Sequence, residues 1–201
     1  MTSKVQYVLL LAGVISLAAC MKQSGGAADN SSASAGTNAA SAAKPGDPIS
    51  SAESAAPASI AHDASIATVD ASGAMKELRK GTNGWTCMPD APDTPGPDPM
   101  CFDANAGKWV AAWVAHKPPP AGTVGLMYML EGGTDASNTD PYAKQPSADN
   151  DWVKTGAHIM VVGSPEILAG HPAGTKPDTS VPYVMWAGTP YAHLMVPVKG
   201  S

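Results

Sequence analysis

A His-x-Met tripeptide occurs twice in the second half of this 201-residue chain. His158 is followed by Met160, and His193 is followed by Met195. Both pairs lie in runs predicted to be strands, where residues i and i+2 point to one face. Imidazole and thioether groups suit copper, and thioethers favour Cu(I) in particular. If the two strands are neighbours, the four side chains converge on one site, which would make the chain a periplasmic copper-binding protein.

Core packing explains the same residues without a metal. Methionine fills irregular gaps in hydrophobic cores, so a methionine-rich strand does not by itself indicate a ligand site. Met127, Met129 and Met185 fall in strand-like runs and can line the same side as the two His-x-Met pairs. The histidines would then be hydrogen-bonded core or edge residues. The sequence leaves both interpretations open and implies no cofactor other than copper.

Other reactive groups are weaker candidates for chemistry. Asp140 with His158 or His193 would make an acid/base pair of a small hydrolase-like enzyme, but the sequence does not reveal its geometry. Ser164 follows a strand, yet a serine N-cap before a proline explains it equally well. The acidic loop 135–151 offers oxygen ligands for calcium without EF-hand spacing. No catalytic residue is assigned, and a non-enzymatic role is favoured.

The amino terminus carries a signal for export and anchoring. Lys4 precedes an apolar run, Val5 to Leu17, which is shorter than the roughly 20 residues that span a membrane and is typical of a secretory signal. The run ends in Leu17-Ala18-Ala19-Cys20, which resembles the lipobox of bacterial lipoproteins. The resemblance implies a signal peptide over 1–19 and acyl chains, such as palmitate, carried by Cys20. Met21 replaces the aspartate that favours inner-membrane retention, which implies an outer-membrane protein facing the periplasm.

Composition divides the remaining chain into two parts. Residues 20–61 are rich in alanine, serine and glycine and contain no aromatic side chain, so they cannot bury enough apolar surface to offset their ordering entropy. They are predicted to be a disordered tether, and 62–201 to be a single globular domain. The net charge is −5, with no basic cluster, which argues against nucleic-acid binding.

Two cysteines remain for the domain. Cys87 and Cys101 flank a proline-rich segment, and in an oxidising compartment such a pair normally forms a disulfide. Closing a loop of about 15 residues should constrain the unfolded chain by about 3 kcal/mol. The wide spacing argues against a redox-active pair.

Strand signals dominate the domain. Alternating apolar residues predict strands over 65–69, 124–130, 157–162, 183–187 and 191–196. Asp103 is a good N-cap for a helix over 104–116, whose Trp109 and Trp113 fall on one face and should pack on the sheet. The expected fold is α+β: a small antiparallel sheet with one main helix packed on it and a disulfide-closed proline-rich loop.

Two longer runs, Leu78 to Asp90 and Pro182 to Met195, resemble a set of secreted bacterial proteins of unknown function. The resemblance implies a recurring domain and no particular activity. The function expected from the sequence is a lipid-anchored envelope protein whose non-enzymatic domain binds a small ligand or an envelope protein. Copper binding and hydrolase-like catalysis are the alternatives.

Overall fold

The computed structural model describes residues 46–70, 74–94 and 96–199. The expected signal peptide (1–19), the lipid attachment at Cys20 and the first part of the tether lie outside the described residues. Within the described ranges, no helix combines the length and the hydropathy needed to cross a membrane.

Strands outnumber helices in the described residues. The α-helices are α1 (Pro48–Glu53), α2 (Ala58–Ala61) and α3 (Ala104–Val114), and a 3-10 turn covers Pro165–Leu168. The strands are β1 (Ser65–Val69), β2 (Met75–Arg79), β3 (Thr86–Met88), β4 (Met100–Phe102), β5 (Gly125–Met129), β6 (Ala136–Ser137), β7 (Trp152–Val153), β8 (His158–Val162), β9 (Tyr183–Met185) and β10 (His193–Pro197).

Eight of these strands form one sheet in the order β2-β1-β3-β4-β5-β8-β10-β9, and β6 and β7 form a separate pair. Every neighbouring pair in the large sheet is antiparallel except β1 and β3, which are parallel. The expectation of a mostly antiparallel sheet is confirmed. The sheet is larger than the small one expected, because β2, β3 and β4 extend it beyond the strands predicted from apolar alternation.

One face of the sheet packs against α3. Asp103 caps this helix as predicted, its Oδ1 accepting hydrogen bonds from the backbone N–H groups of Asn105 (3.0 Å) and Ala106 (2.8 Å). The helix ends at Val114, two residues earlier than predicted. His116 takes a left-handed conformation (φ 55°), and Lys117 N–H bonds back to Ala112 O. This is the usual geometry of a helix end, although glycine is the common residue there.

The opposite face is covered by α1 and α2, within the stretch predicted to be tether. Asp47 caps α1 through the N–H groups of Ile49 and Ser50, and Pro48 occupies the first helical position. The alanines that face the sheet are buried, namely Ala52, Ala55, Ala56, Ala61 and Ala64.

The structure therefore differs from the prediction that the tether extends to residue 61. The prediction rested on the absence of large apolar side chains. Alanine, however, is the best helix former, and its small side chain lets a helix approach a sheet closely. Arg79 fixes the position of these helices, since it donates to Ala61 O at 2.7 Å and pairs with Glu53 at 2.5 Å.

The disulfide between Cys87 and Cys101 is confirmed. The two residues lie directly opposite each other on β3 and β4, with Cα atoms 4.0 Å apart. Both cysteines are fully buried beneath the alanines of α1 and α2. Because side chains alternate along a strand, Met100 and Phe102 point to the other face, toward α3. The bridge thus closes the proline-rich loop and leaves the α3 face free for the site described next.

A methionine-rich cavity as the candidate functional site

A cavity of about 710 Å³ lies between α3 and the sheet face that it covers. Every methionine of the described residues lines it: Met75, Met88, Met100, Met127, Met129, Met160, Met185 and Met195. These side chains come from seven different strands, so the clustering results from the sheet and not from a local run of sequence. We call this space the methionine cavity.

Strand register arranges these side chains in rows across the sheet. Met160 of β8 lies directly opposite Met127 of β5 on one side and Met195 of β10 on the other. A neighbouring row pairs His158 with Met129. Side chains of directly opposite residues have Cβ atoms about 4.5–5.5 Å apart, close enough for thioethers to touch. Met127, Met160 and Met195 thus form a row of thioethers across three strands, and on β4 the next residue in register is Phe102.

Tryptophan rings close one end of the cavity. The rings of Trp109 (α3) and Trp186 (after β9) are nearly parallel, with centroids 6.1 Å apart. Trp186 has a left-handed backbone (φ 56°), which is rare for a bulky side chain and marks a strained position. Two hydrogen bonds hold it there, from its backbone N–H to Asn138 O (3.0 Å) and from its Nε1 to Ser137 O (2.8 Å). These hydrogen bonds fix the position of the indole ring, which lines the cavity.

His193 lies beside these rings and is completely buried. Its ring centroid is 4.9 Å from that of Trp186 and 5.4 Å from that of Trp109. Its Nδ1 lies 2.9 Å from Tyr191 O, which only accepts hydrogen bonds, so Nδ1 carries the hydrogen and Nε2 carries a lone pair. This Nε2 is buried and has no hydrogen-bond partner among the residues that the structure describes. Burial lowers the pKa of His193 to about 4, so the ring is neutral at pH 7.

His158 has the same tautomer at another place in the cavity. Its Nδ1 lies 2.6 Å from Gly156 O, and burial lowers its pKa. In the β8–β10 register His158 lies opposite Pro197, four residues beyond His193. That separation corresponds to about 13 Å along a strand.

The four residues of the two His-x-Met pairs thus lie on neighbouring strands and line one cavity, as the copper hypothesis requires. They do not lie at the same position along the strands. Met160 and Met195 face each other in the middle, and the two histidines lie at opposite ends. Among the described residues no three His, Cys, Asp or Glu side chains group closely enough to hold a metal ion, so a metal in this cavity would need thioether ligands.

A polar corner interrupts the apolar lining near His158. It contains Asp98, Thr134 and Thr155. The Thr134 hydroxyl donates to Asp98 Oδ2 at 3.4 Å, and the Thr155 hydroxyl donates to Gly133 O at 3.2 Å. Burial raises the pKa of the Asp98 carboxyl. The corner offers a small number of hydrogen-bonding groups at one side of an otherwise apolar space.

The enzyme hypothesis gains no support from this geometry. In the part of the chain that the structure describes, the Nδ1 atoms of both buried histidines bond to backbone carbonyls and not to a carboxylate. The Asp140 carboxylate accepts a hydrogen bond from the N–H of Tyr142 at 2.9 Å. Ser164 bonds to Glu166 at the start of the 3-10 turn. The acidic loop is partly ordered by β6 and β7, and Asp135 accepts from the N–H of Thr155.

Sequence reasoning did not identify the mouth of the cavity. Three apolar side chains that line it are also exposed: Val69 (47%), Met75 (56%) and Val114 (67%). Met88, Met100 and Trp186 were likewise not assigned to the site. The available signal was the high methionine content of the domain, although no local pattern places these methionines on one sheet face.

The comparisons do not place the chain in a family: no protein-family model, no curated protein and no solved structure matches it.

Proposed function

We propose that this chain is a lipid-anchored envelope protein whose α+β domain binds a fatty acid, without catalysis, in the methionine cavity. The observation that carries the proposal is the cavity itself, a space of about 710 Å³ lined by eight methionines and three tryptophans. Small-molecule sites usually measure about 300–1,000 Å³ and are predominantly apolar with a few polar groups.

The lining favours an acyl chain as the occupant. Thioether side chains are unbranched and adaptable, so they can follow a flexible chain of varying shape. The exposed Val69, Met75 and Val114 give the cavity an apolar entrance. Contact with water is unfavourable for these apolar side chains, so an apolar ligand that covers them would lower the free energy.

The polar corner suits the carboxyl end of a fatty acid. Asp98, Thr134 and Thr155 present carboxyl and hydroxyl groups there, and the imidazole of His158 lies nearby. Burial raises the pKa of the Asp98 carboxyl, and a neighbouring ligand carboxylate would raise it further. An anchored domain of this kind would work beside the membrane that supplies its ligand.

Displacement of a fluorescent fatty acid tests the binding. The purified protein carries Cys20→Ala, which removes the expected lipid. We expect the probe to bind one to one and to be displaced by palmitate. Val114→Glu places a charge at the entrance and should weaken binding at least tenfold. Val124→Glu is the matched control, since Val124 is also an exposed valine but does not line the cavity. Equal binding by all three proteins, or no binding, would refute the proposal.

The anchor is tested separately by membrane fractionation. The unaltered protein should sediment with outer membranes, and the Cys20→Ala protein should be released into the soluble envelope fraction. A Cys20→Ala protein that remains in the membrane fraction would rule out lipid anchoring at this residue.

A further inference from the structure

His193 carries a feature that fatty-acid binding does not explain. Its Nε2 lone pair is fully buried, lacks a hydrogen-bond partner in the described part of the chain and belongs to a ring that lines the methionine cavity. Leaving a buried acceptor unsatisfied costs free energy, and such an exception in a native structure calls for an explanation. The Nδ1–H bond to Tyr191 O holds the ring in the orientation that presents this lone pair.

Two thioethers lie nearest to this lone pair by strand register. Met185 on β9 is directly opposite His193, and Met195 is two residues along β10 on the same face. Both methionines line the cavity and are buried. Each sulfur sits at the end of a flexible side chain, so both can turn toward Nε2 without movement of the sheet.

We infer that His193 Nε2 and the sulfurs of Met185 and Met195 form a binding site for a single Cu(I) ion. One imidazole and two thioethers make a soft, uncharged ligand set, which selects Cu(I) over hard cations such as Mg²⁺ and Ca²⁺. The bond from Nδ1–H to a backbone carbonyl is the outer-shell partner that metal-binding histidines generally have.

The surroundings suit a monovalent cation. The rings of Trp109 and Trp186 flank the imidazole, with centroids 5.4 Å and 4.9 Å from its own, and an indole ring attracts a cation near its face. Because Nδ1 carries the ring hydrogen toward Tyr191 O, Nε2 presents a lone pair to the metal. This site replaces the four-residue arrangement expected from the sequence, because the register separates His158 from His193.

The test is an anaerobic titration of the Cys20→Ala protein with Cu(I) against a coloured chelator. We expect one tightly bound Cu(I) per chain. Met185→Leu and Met195→Leu remove a sulfur at nearly constant volume and should each weaken binding at least tenfold. His193→Asn keeps a donor for Tyr191 O, removes Nε2 and should also weaken binding at least tenfold.

Matched controls come from the same cavity. Met88→Leu and His158→Asn change the same residue types at positions outside the inferred site and should leave Cu(I) affinity unchanged. X-ray absorption of the copper-loaded protein should detect sulfur neighbours. No competition with the chelator, equal affinity in all variants, or loss of binding in the controls would overturn the inference.

Failure of this inference is distinguishable from failure of the fatty-acid proposal. Both titrations use the Cys20→Ala protein with no substitution in the cavity, so each proposal can fail while the other holds. A protein that binds the fatty acid but not Cu(I) would overturn the copper site alone.

Discussion

Acid should destabilise this protein through His193. The folded-state pKa of His193 is about 4, lowered mainly by burial from the ordinary value of 6.5. Between pH 6.5 and 4 the unfolded chain binds a proton at this histidine and the folded chain does not. The free energy of unfolding therefore falls as the pH falls through this window, and the contribution of His193 is complete above pH 6.5.

The size of the effect follows from the two pKa values. Each pH unit of separation corresponds to about 1.4 kcal/mol, so the loss between pH 6.5 and 4 is about 3 kcal/mol. That is a large part of the roughly 5–15 kcal/mol that stabilises a typical domain. His158 acts in the same direction, since burial also lowers its pKa. Asp98 acts in the opposite direction, because its raised pKa favours the protonated, folded form as the pH falls.

Urea denaturation at pH 7, 6, 5 and 4.5 measures this dependence. Comparison of the unaltered protein with His193→Asn isolates the contribution of His193 to the pH dependence, because His158 and Asp98 are present in both proteins. We expect the free energy of unfolding of His193→Asn to fall less steeply with acid. His62→Gln changes an exposed histidine and should keep the steep dependence. Parallel pH profiles for the unaltered protein and His193→Asn would refute the reasoning.

Three further predictions concern the packing on the two faces of the sheet. Gly125→Ala should destabilise the protein by about 2 kcal/mol or more in urea denaturation. The reason is that the added Cβ would lie 2.2 Å from the backbone nitrogen of Ala106 in α3. Gly174→Ala is the control, because its Cβ enters open space and should change the stability little. Replacing Cys87 and Cys101 together by alanine should lower the melting temperature by several degrees, given about 3 kcal/mol of lost constraint; an unchanged melting temperature would mean that the bridge does not constrain the unfolded chain. Ala52→Leu should lower the free energy of unfolding by about 1–3 kcal/mol, because it overpacks α1 against the sheet. Ala58→Leu changes an exposed position and should leave this free energy nearly unchanged. Equal stability of the two variants would show that α1 is not part of the folded unit.

Local signals in the sequence predicted much of the fold. Alternating side chains located β5, β8 and β10, and Asp103 marked the start of α3. The Cys87–Cys101 pair followed from the number and spacing of the cysteines. These features depend on neighbours within a few residues or on simple pairing, which a single sequence displays.

The end of the tether and the shape of the site depend on tertiary contacts. The alanines of α1 and α2 are buried only because the β3–β4 face lies beneath them, and composition does not reveal that face. The sequence placed His158 and His193 on one face, but their level on that face depends on the register of β8 and β10. The cavity forms because α3 crosses a face lined by methionines from separate strands, which no local pattern encodes.

Tryptophan quenching by a brominated fatty acid tests most directly whether the methionine cavity is the binding site. Trp109, Trp113 and Trp186 line the cavity, and Trp85 and Trp152 do not. Bromine quenches only nearby indoles, so titration of the Cys20→Ala protein should remove the emission of the three cavity tryptophans and leave that of the other two. The non-brominated acid of the same length should cause no such loss and should compete with the brominated one. Unchanged emission, or quenching confined to Trp85 and Trp152, would contradict binding in the methionine cavity.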